Sequence, residues 1–489
     1  MSAAVSTAAP IRQPTAPVIR YRIARVVIVA LVCAAIATPL AAQSPGPSPD
    51  QALARDIFAE LVGINTTFHH GNTTPAAKAV ARRLLTAGFP AADVQVIGPN
   101  GDNQNIVARL RGTGKRRPIL LLAHLDVVEA LRADWSLDPF TLTKRDGYFY
   151  GRGTSDIKDM AAIFTAAMIR MKHEGFTPDR DIILALTSGE EDDDAYNGVQ
   201  WLLAHHHDFI DAAYCINGDG GEPLAINGKV FARNVQASEK VYLDLQLEVH
   251  NRGGHSSQPV PDNAIYHLAA ALTRISALEF PMRLNEVTRA YFERAASAEA
   301  PEVGADMKLV AEHADTSAAR RLAAHSAFFN AQLRTTCVAT RLEGGHANNA
   351  LPQMARAIVN CRMLPDDHQD DVVAAIRNAI ADTAVALTVV NPAKPSPPSP
   401  LVPDVLGPIE QVSAEFFPGA PVVPSMETGA TDGLYLRNAG MPVYGVSGVA
   451  IDANDVRAHG RDERIRVAAF YSGVDYTYRL VRALAGGRP

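Results

Sequence analysis

Three short runs constrain this chain more than anything else in it: "RPILLLAHLD", "RDIILALTSGEE" and "DAAYCINGDGG". Each is apolar without alternation, so as a strand it must be covered on both faces. Between them lie segments with apolar residues at three- and four-residue spacing, "KDMAAIFTAAMIRMKHEG" and "YNGVQWLLAHHHDF", which read as helices. Strand, helix, strand, helix, strand requires crossover connections. The expected fold is therefore α/β, a mainly parallel sheet with helices on both faces.

From about Lys240 the pattern changes. "VYLDLQLEVH", "TTCVATRLEGG" and "ARAIVNCRMLP" alternate and read as half-buried strands. "PDNAIYHLAAALTRISAL" is amphipathic, and residues 284–333 look largely helical. A block with alternating strands inside a parallel α/β chain predicts an inserted α+β domain over residues 239–364. It would divide the parallel α/β domain into residues 43–238 and 365–489. The α/β character returns after the Pro/Ser loop "NPAKPSPPSP" and ends in a helix from about Arg464 to Ala485.

Residues 1–42 read differently. Arg20, Arg22 and Arg25 precede the apolar "VVIVALVCAAIAT" and then small residues, the pattern of a secretory signal peptide. The alternative is an uncleaved membrane anchor, for which the apolar stretch is short. After cleavage the protein is expected to be secreted or periplasmic; with the segment kept it would be membrane-anchored. The net charge of -6 argues against a nucleic-acid partner, which calls for a basic face. Cys215, Cys337 and Cys361 lie beyond the leader and are too few for a disulfide framework. Cys337 and Cys361 sit in runs that could pair as a hairpin and carry one bridge, although buried free thiols are the commoner arrangement.

The chemistry gathers where the strands stop. His124 and Asp126 follow the first run, Glu190 and Glu191 the second, and Asp219 the third. Asp156 lies in the Gly-rich "GRGTSDIKDM", and His459 in "DVRAHGRDE". Ligands of open parallel sheets bind beyond the carboxyl ends of the strands. One strand-end carboxylate is ordinarily just solvated, and "EEDDD" alone would be an acidic loop. Convergence of two imidazoles and several carboxylates on one edge instead suits divalent zinc, cobalt or manganese.

Seven motifs in order, "AHLDVV", "GRGTSDIKDM", "TSGEED", "INGDGG", "NRGGHSSQP", "NNALP" and "AHGRDERI", carry a resemblance. The chain resembles the dinuclear zinc hydrolases that include glutamate carboxypeptidase, peptidase T, aminoacylase-1, carnosine dipeptidase and acetylornithine deacetylase. The vacuolar-type carboxypeptidase branch looks nearest. The resemblance implies two divalent metal ions, with His124 and Asp219 on one, Glu191 and His459 on the other, and Asp156 bridging. It implies that Asp126 orients His124 through a hydrogen bond, and that Glu190 is the general base acting on a bridging water. It makes the inserted block a lid and dimerisation domain. There His255 would polarise the scissile carbonyl, and Asn349 and Arg362 would hold substrate, Arg362 through a carboxylate. Gly429 would allow backbone to approach the substrate. The plain alternatives are a loop histidine for His255 and a surface ion pair for Arg362. The expected activity is a carboxypeptidase or dipeptidase, with deacylation of N-acyl amino acids as the alternative. Residues 284–333 depart from the compact lid of glutamate carboxypeptidase by their length.

Overall fold

The computed structural model describes residues 46–191 and 196–487. The leader and three acids of the "EEDDD" run lie outside the described residues, as does the question of export that rests on the leader. No helix among the described residues is long and apolar enough to cross a membrane.

The three apolar runs form adjacent strands. Ile119–His124 lies between Ile182–Thr187 and Tyr214–Asn217, parallel to both. Every residue of the three is buried. Because side chains alternate along a strand, the central strand feeds two cores. Ile119, Leu121 and Ala123 join one, while Leu120 and Leu122 join the other. Helix Lys158–His173 lies in the first core with helices Pro49–Val62 and Val467–Ala485. Helix Gly198–His205 contributes Val199 and Leu202 to the second. Strand Val443–Gly445 continues the parallel centre beyond Tyr214–Asn217. The margins turn antiparallel, through Asn105–Leu110 on one side and Lys229–Glu239 on the other. The mixed sheet has a parallel middle, where the strand-end acids emerge.

A second, antiparallel sheet runs in the order Thr336–Gly344, Met354–Met363, Val241–His250, Ala386–Asn391. Helices Ala264–Ser276 and Gln369–Ile380 bury Leu268, Ile275, Val372 and Ile376 against it. The small sheet runs past residue 364, the expected end of the inserted block. "ALTVVN" alternates and pairs with Val241–His250, carrying the small sheet to Asn391. Residues 284–333 are helical as expected, in four helices from Glu286 to Leu333. They pack differently from a lid segment, since Phe292 and Leu333 share a core with Val423 of the main sheet's strand Val422–Glu427. The closing helix starts at Val467 rather than Arg464 because Arg464–Arg466 pairs with Tyr148–Tyr150.

Cys337 and Cys361 are not free thiols. They face each other across antiparallel strands and form a disulfide. Direct cross-strand pairing brings Cβ atoms within the reach of one bridge, which spacing along the chain does not reveal. Cys215 is buried and free.

Candidate metal centre

His124 ends its strand fully buried, with its ring held from behind. Nδ1 donates to the main-chain carbonyl of Asp126 at 2.9 Å. A carbonyl only accepts, so Nδ1 carries the hydrogen and Nε2 faces forward. The expected partner was the Asp126 carboxylate. That carboxylate instead accepts the Glu191 backbone N–H through Oδ2 at 2.9 Å, fixing the turn that presents Glu190 and Glu191. Its Oδ1 is buried without a hydrogen-bond partner among the described residues.

That turn is tight. Gly189 sits at φ 80°, where a Cβ would lie 1.8 Å from the Tyr196 carbonyl oxygen, so only glycine serves. Asp432, which sequence reading missed, braces the same turn. It accepts from Thr187 Oγ1 at 3.0 Å and from Asn197 Nδ2 at 2.5 Å, and Asn197 also bonds the Gly189 carbonyl. Burial pushes its carboxyl up to about 6. Nothing local in "ETGATDGLYL" distinguishes this acid from a solvated one.

Asp156 stands at the middle of the cluster. Its Oδ1 is 3.1 Å from His124 Nε2, and its Oδ2 is 3.0 Å from His459 Nε2. Glu191 Oε2 lies 3.0 Å from the same His459 nitrogen. His459 reaches in from a loop where its own φ is 61°, a strained conformation of the kind found at functional sites. Three groups of ligand atoms lie mutually within 4.8 Å: His124, Asp156 and Asp219; Asp156, Glu191 and His459; and His124, Glu190 and Glu191. All five expected ligands therefore fall in one cluster, with Asp156 common to the first two groups.

The electrostatics are those of a cation site. Burial pushes Glu190 and Asp219 well above the usual carboxylate range, and neighbouring acids push them further against the pull of His124. Burial also raises Glu191, although the His459 hydrogen bond opposes it. Asp156 goes the other way: burial works against its charge, but hydrogen bonds from His124 and His459 hold it below its ordinary value. Those bonds to Asp156 and Glu191 carry His459 up to about 10. Such crowding of buried anions around two imidazoles fits divalent cations with oxygen and nitrogen ligands.

The cluster opens into a cavity of about 490 Å³. Asp156, Glu190, Glu191, Asp219 and His459 line it together with Arg362, Lys240, Lys394, Gly429 and neutral groups such as Asn391, Pro392 and Leu434. Arg362 lies over the Tyr242 ring at 4.5 Å. A smaller recess of about 260 Å³ also reaches Glu191; Phe68, Val127, Val128 and Tyr196 line it among mostly polar residues such as Thr66, Asn72, Asp126 and Ser188. His255 and Asn349 do not line either cavity. They sit together on a two-stranded ribbon, where His255 pairs with Ala350 and Ser256 N–H donates to the Asn349 carbonyl at 3.1 Å. His255 is exposed, its Nδ1 bonded to Ser257 Oγ at 2.7 Å.

Fold and cluster together define a metallohydrolase built on a parallel α/β sheet. The chain belongs to Peptidase family M20/M25/M40, whose model matches residues 120–483. It is 28% identical over 374 residues to the N-fatty-acyl-amino acid synthase/hydrolase PM20D1 of Homo sapiens, covering 75% of this chain and 74% of that one. It is 27% identical over 402 residues to the probable carboxypeptidase S-like 2 of Dictyostelium discoideum, covering 78% and 74%. Among solved structures it is similar to an M20 family metallo-carboxypeptidase from Sulfolobus solfataricus, with a TM-score of 0.65, 15% identity, and 88% and 99% coverage. The chain is thus an enzyme of the M20 metallopeptidases.

Proposed function

We propose that the protein is a two-metal amide hydrolase that releases an amino acid with a free carboxylate from a peptide. The observation that carries this reading is the division of the Asp156 carboxylate, one oxygen toward each imidazole, beside a cavity that Arg362, Lys240 and Lys394 also line. In this reading His124 and Asp219 would hold one ion and Glu191 and His459 the other, with Asp156 contributing to both. Bound there, zinc, cobalt or manganese would supply Lewis acidity and lower the pKa of a bound water. Glu190 takes the proton from the attacking water and delivers it to the leaving nitrogen as the C–N bond breaks. Arg362 pairs with the substrate carboxylate, bidentately if both oxygens are presented. Gly429, with no Cβ, keeps that wall close to the substrate backbone.

The second reading, hydrolysis of N-acyl amino acids, is supported by the likeness to PM20D1. The same cluster and Arg362 would serve it; only the group in the Phe68–Tyr196 recess differs. A screen of dipeptides, longer peptides and N-acyl amino acids, with each of the three metals added, separates them. Preferred turnover of dipeptides and peptides supports the first reading, and preferred turnover of acyl substrates replaces it with the second. Export after removal of residues 1–42 belongs to this proposal, on the strength of the Arg-rich, apolar leader.

We also propose a homodimer through the small sheet. Its strand Thr336–Gly344 ends the sheet, with Val338 and Leu342 60% and 69% exposed, and an open edge strand with exposed apolar side chains invites pairing with a second copy. His255 would then serve the active site of the dimer as an oxyanion donor. Val338→Asp with Leu342→Asp should give a monomer by light scattering, with turnover lowered about 10²-fold, the usual loss for one such donor. A double variant that stays dimeric, or a monomer as active as the parent, refutes the arrangement.

A further inference from the structure

Glu463 is wholly buried, yet its carboxylate touches no substrate cavity. It gathers donors from one loop. Oε1 accepts from the Ser155 N–H at 2.7 Å, Ser155 Oγ at 3.1 Å and the Asp156 N–H at 3.2 Å. Oε2 accepts from the Gly153 N–H at 3.1 Å and from Arg152 Nη1 at 2.7 Å. Arg152 is buried too. Its Nη2 reaches the carbonyls of Glu129 at 3.3 Å and His459 at 3.4 Å, and its guanidinium lies over the Trp135 ring at 5.1 Å.

This one ion pair therefore joins three chain segments. Residues 152–156 end in Asp156, residues 459–463 begin with His459, and Glu129 lies in the loop that follows His124. A buried ion pair is a poor source of net stability, because desolvating both charges offsets their attraction. What this pair does is hold backbone: three of the five bonds to Glu463 come from main-chain N–H groups, and both bonds from Arg152 Nη2 go to carbonyls. Outer-shell partners of this kind orient metal ligands and tune affinity.

We propose that Glu463, paired with Arg152, is a positioning residue that sets Asp156 and His459 at the spacing two cations need. It acts on metal affinity rather than on bond cleavage. The inference rests on the two-metal reading given above.

The test uses the full chain stripped with a chelator and titrated with Co²⁺ alone, read by visible absorption and chelator competition. Glu463→Gln keeps the side-chain size but places an NH₂ group against donors. Cobalt should then bind about 10- to 100-fold more weakly, with kcat recovering at saturating cobalt. Arg152→Lys keeps the ion pair but drops the bonds to the Glu129 and His459 carbonyls, so a smaller loss is expected, under about 10-fold. Asp93→Asn, which breaks the Arg111 ion pair away from the centre, should lower the melting temperature without weakening cobalt binding. Cobalt affinity in Glu463→Gln within two-fold of the parent overturns the proposal. If that variant does not fold, Arg152→Lys decides in the same way. A parent chain that binds no cobalt removes the two-metal reading itself, a result distinct from parent and variants binding alike.

Discussion

Glu190→Ala will abolish nearly all turnover and leave the metal content of the protein at two ions per chain. Glu190 follows strand Ile182–Thr187 on a turn held by Asp126 and Asp432, and it lines the cavity beside Asp156 and Asp219. Its carboxyl sits well above the ordinary range because it is buried and flanked by Asp219, Asp432 and Glu191. A carboxylate with raised basicity is suited to take a proton and return it. Positioned proton transfer contributes about 10²- to 10⁴-fold, so kcat should fall by that factor, or about 3 to 5 kcal/mol in the barrier. The competing role is visible in the same geometry, since Glu190 also falls within ligand distance of His124 and Glu191. Metal analysis of the purified variant separates the two. Loss of one ion along with activity would make Glu190 a ligand, and full activity would remove it from the mechanism.

The parts of this centre that were legible in the sequence share a physical cause. A strand buried on both faces has no reason to end in polar groups unless they are used or solvated, and three such strands in parallel point those groups the same way. His124, Glu190, Glu191 and Asp219 could be picked out on that ground, and Asp156 and His459 by their loops between strand and helix. What escaped depends on atoms rather than residue types. The Asp126 main chain, not its side chain, holds the His124 ring, and every residue has a carbonyl to offer. Glu463 and Asp432 act through hydrogen bonds to residues some 240 to 310 positions away, which no periodicity records. The small sheet extends to Asn391 because "ALTVVN" finds its partner in Val241–His250, nearly 150 residues earlier. Alternation marks a strand but does not name its neighbour. The disulfide follows the same logic, since Cys337 and Cys361 face each other only once the register is set.

Asp156→Asn should do more damage to the centre than any other single isosteric change. The substitution preserves volume and one oxygen but turns the other into an NH₂ group, which has no lone pair to offer a cation. Asp156 Oδ1 and Oδ2 face different imidazoles, 3.1 and 3.0 Å away, so whichever way the amide settles, one of the two ligand groups loses a member. The change also removes a charge. With burial opposing them, the two imidazoles draw the Asp156 carboxyl below its usual range, and they are raised in turn by it. A neutral amide between them leaves two rings that no longer share an anion. Altering an outer-shell partner of a metal typically weakens affinity about 10- to 100-fold; losing a direct and shared ligand should exceed that. Metal content after gel filtration should drop to one ion or fewer per chain, and kcat/KM should fall by more than about 10³-fold, over 4 kcal/mol. Restoring activity by raising cobalt should fail, in contrast to Glu463→Gln, because the missing atom is itself a ligand. If the Asp156→Asn variant retains two ions and near-normal turnover, Asp156 only pairs with the two histidines, and the bridge would have to be sought at Glu191, the other carboxylate that belongs to two of the three ligand groups.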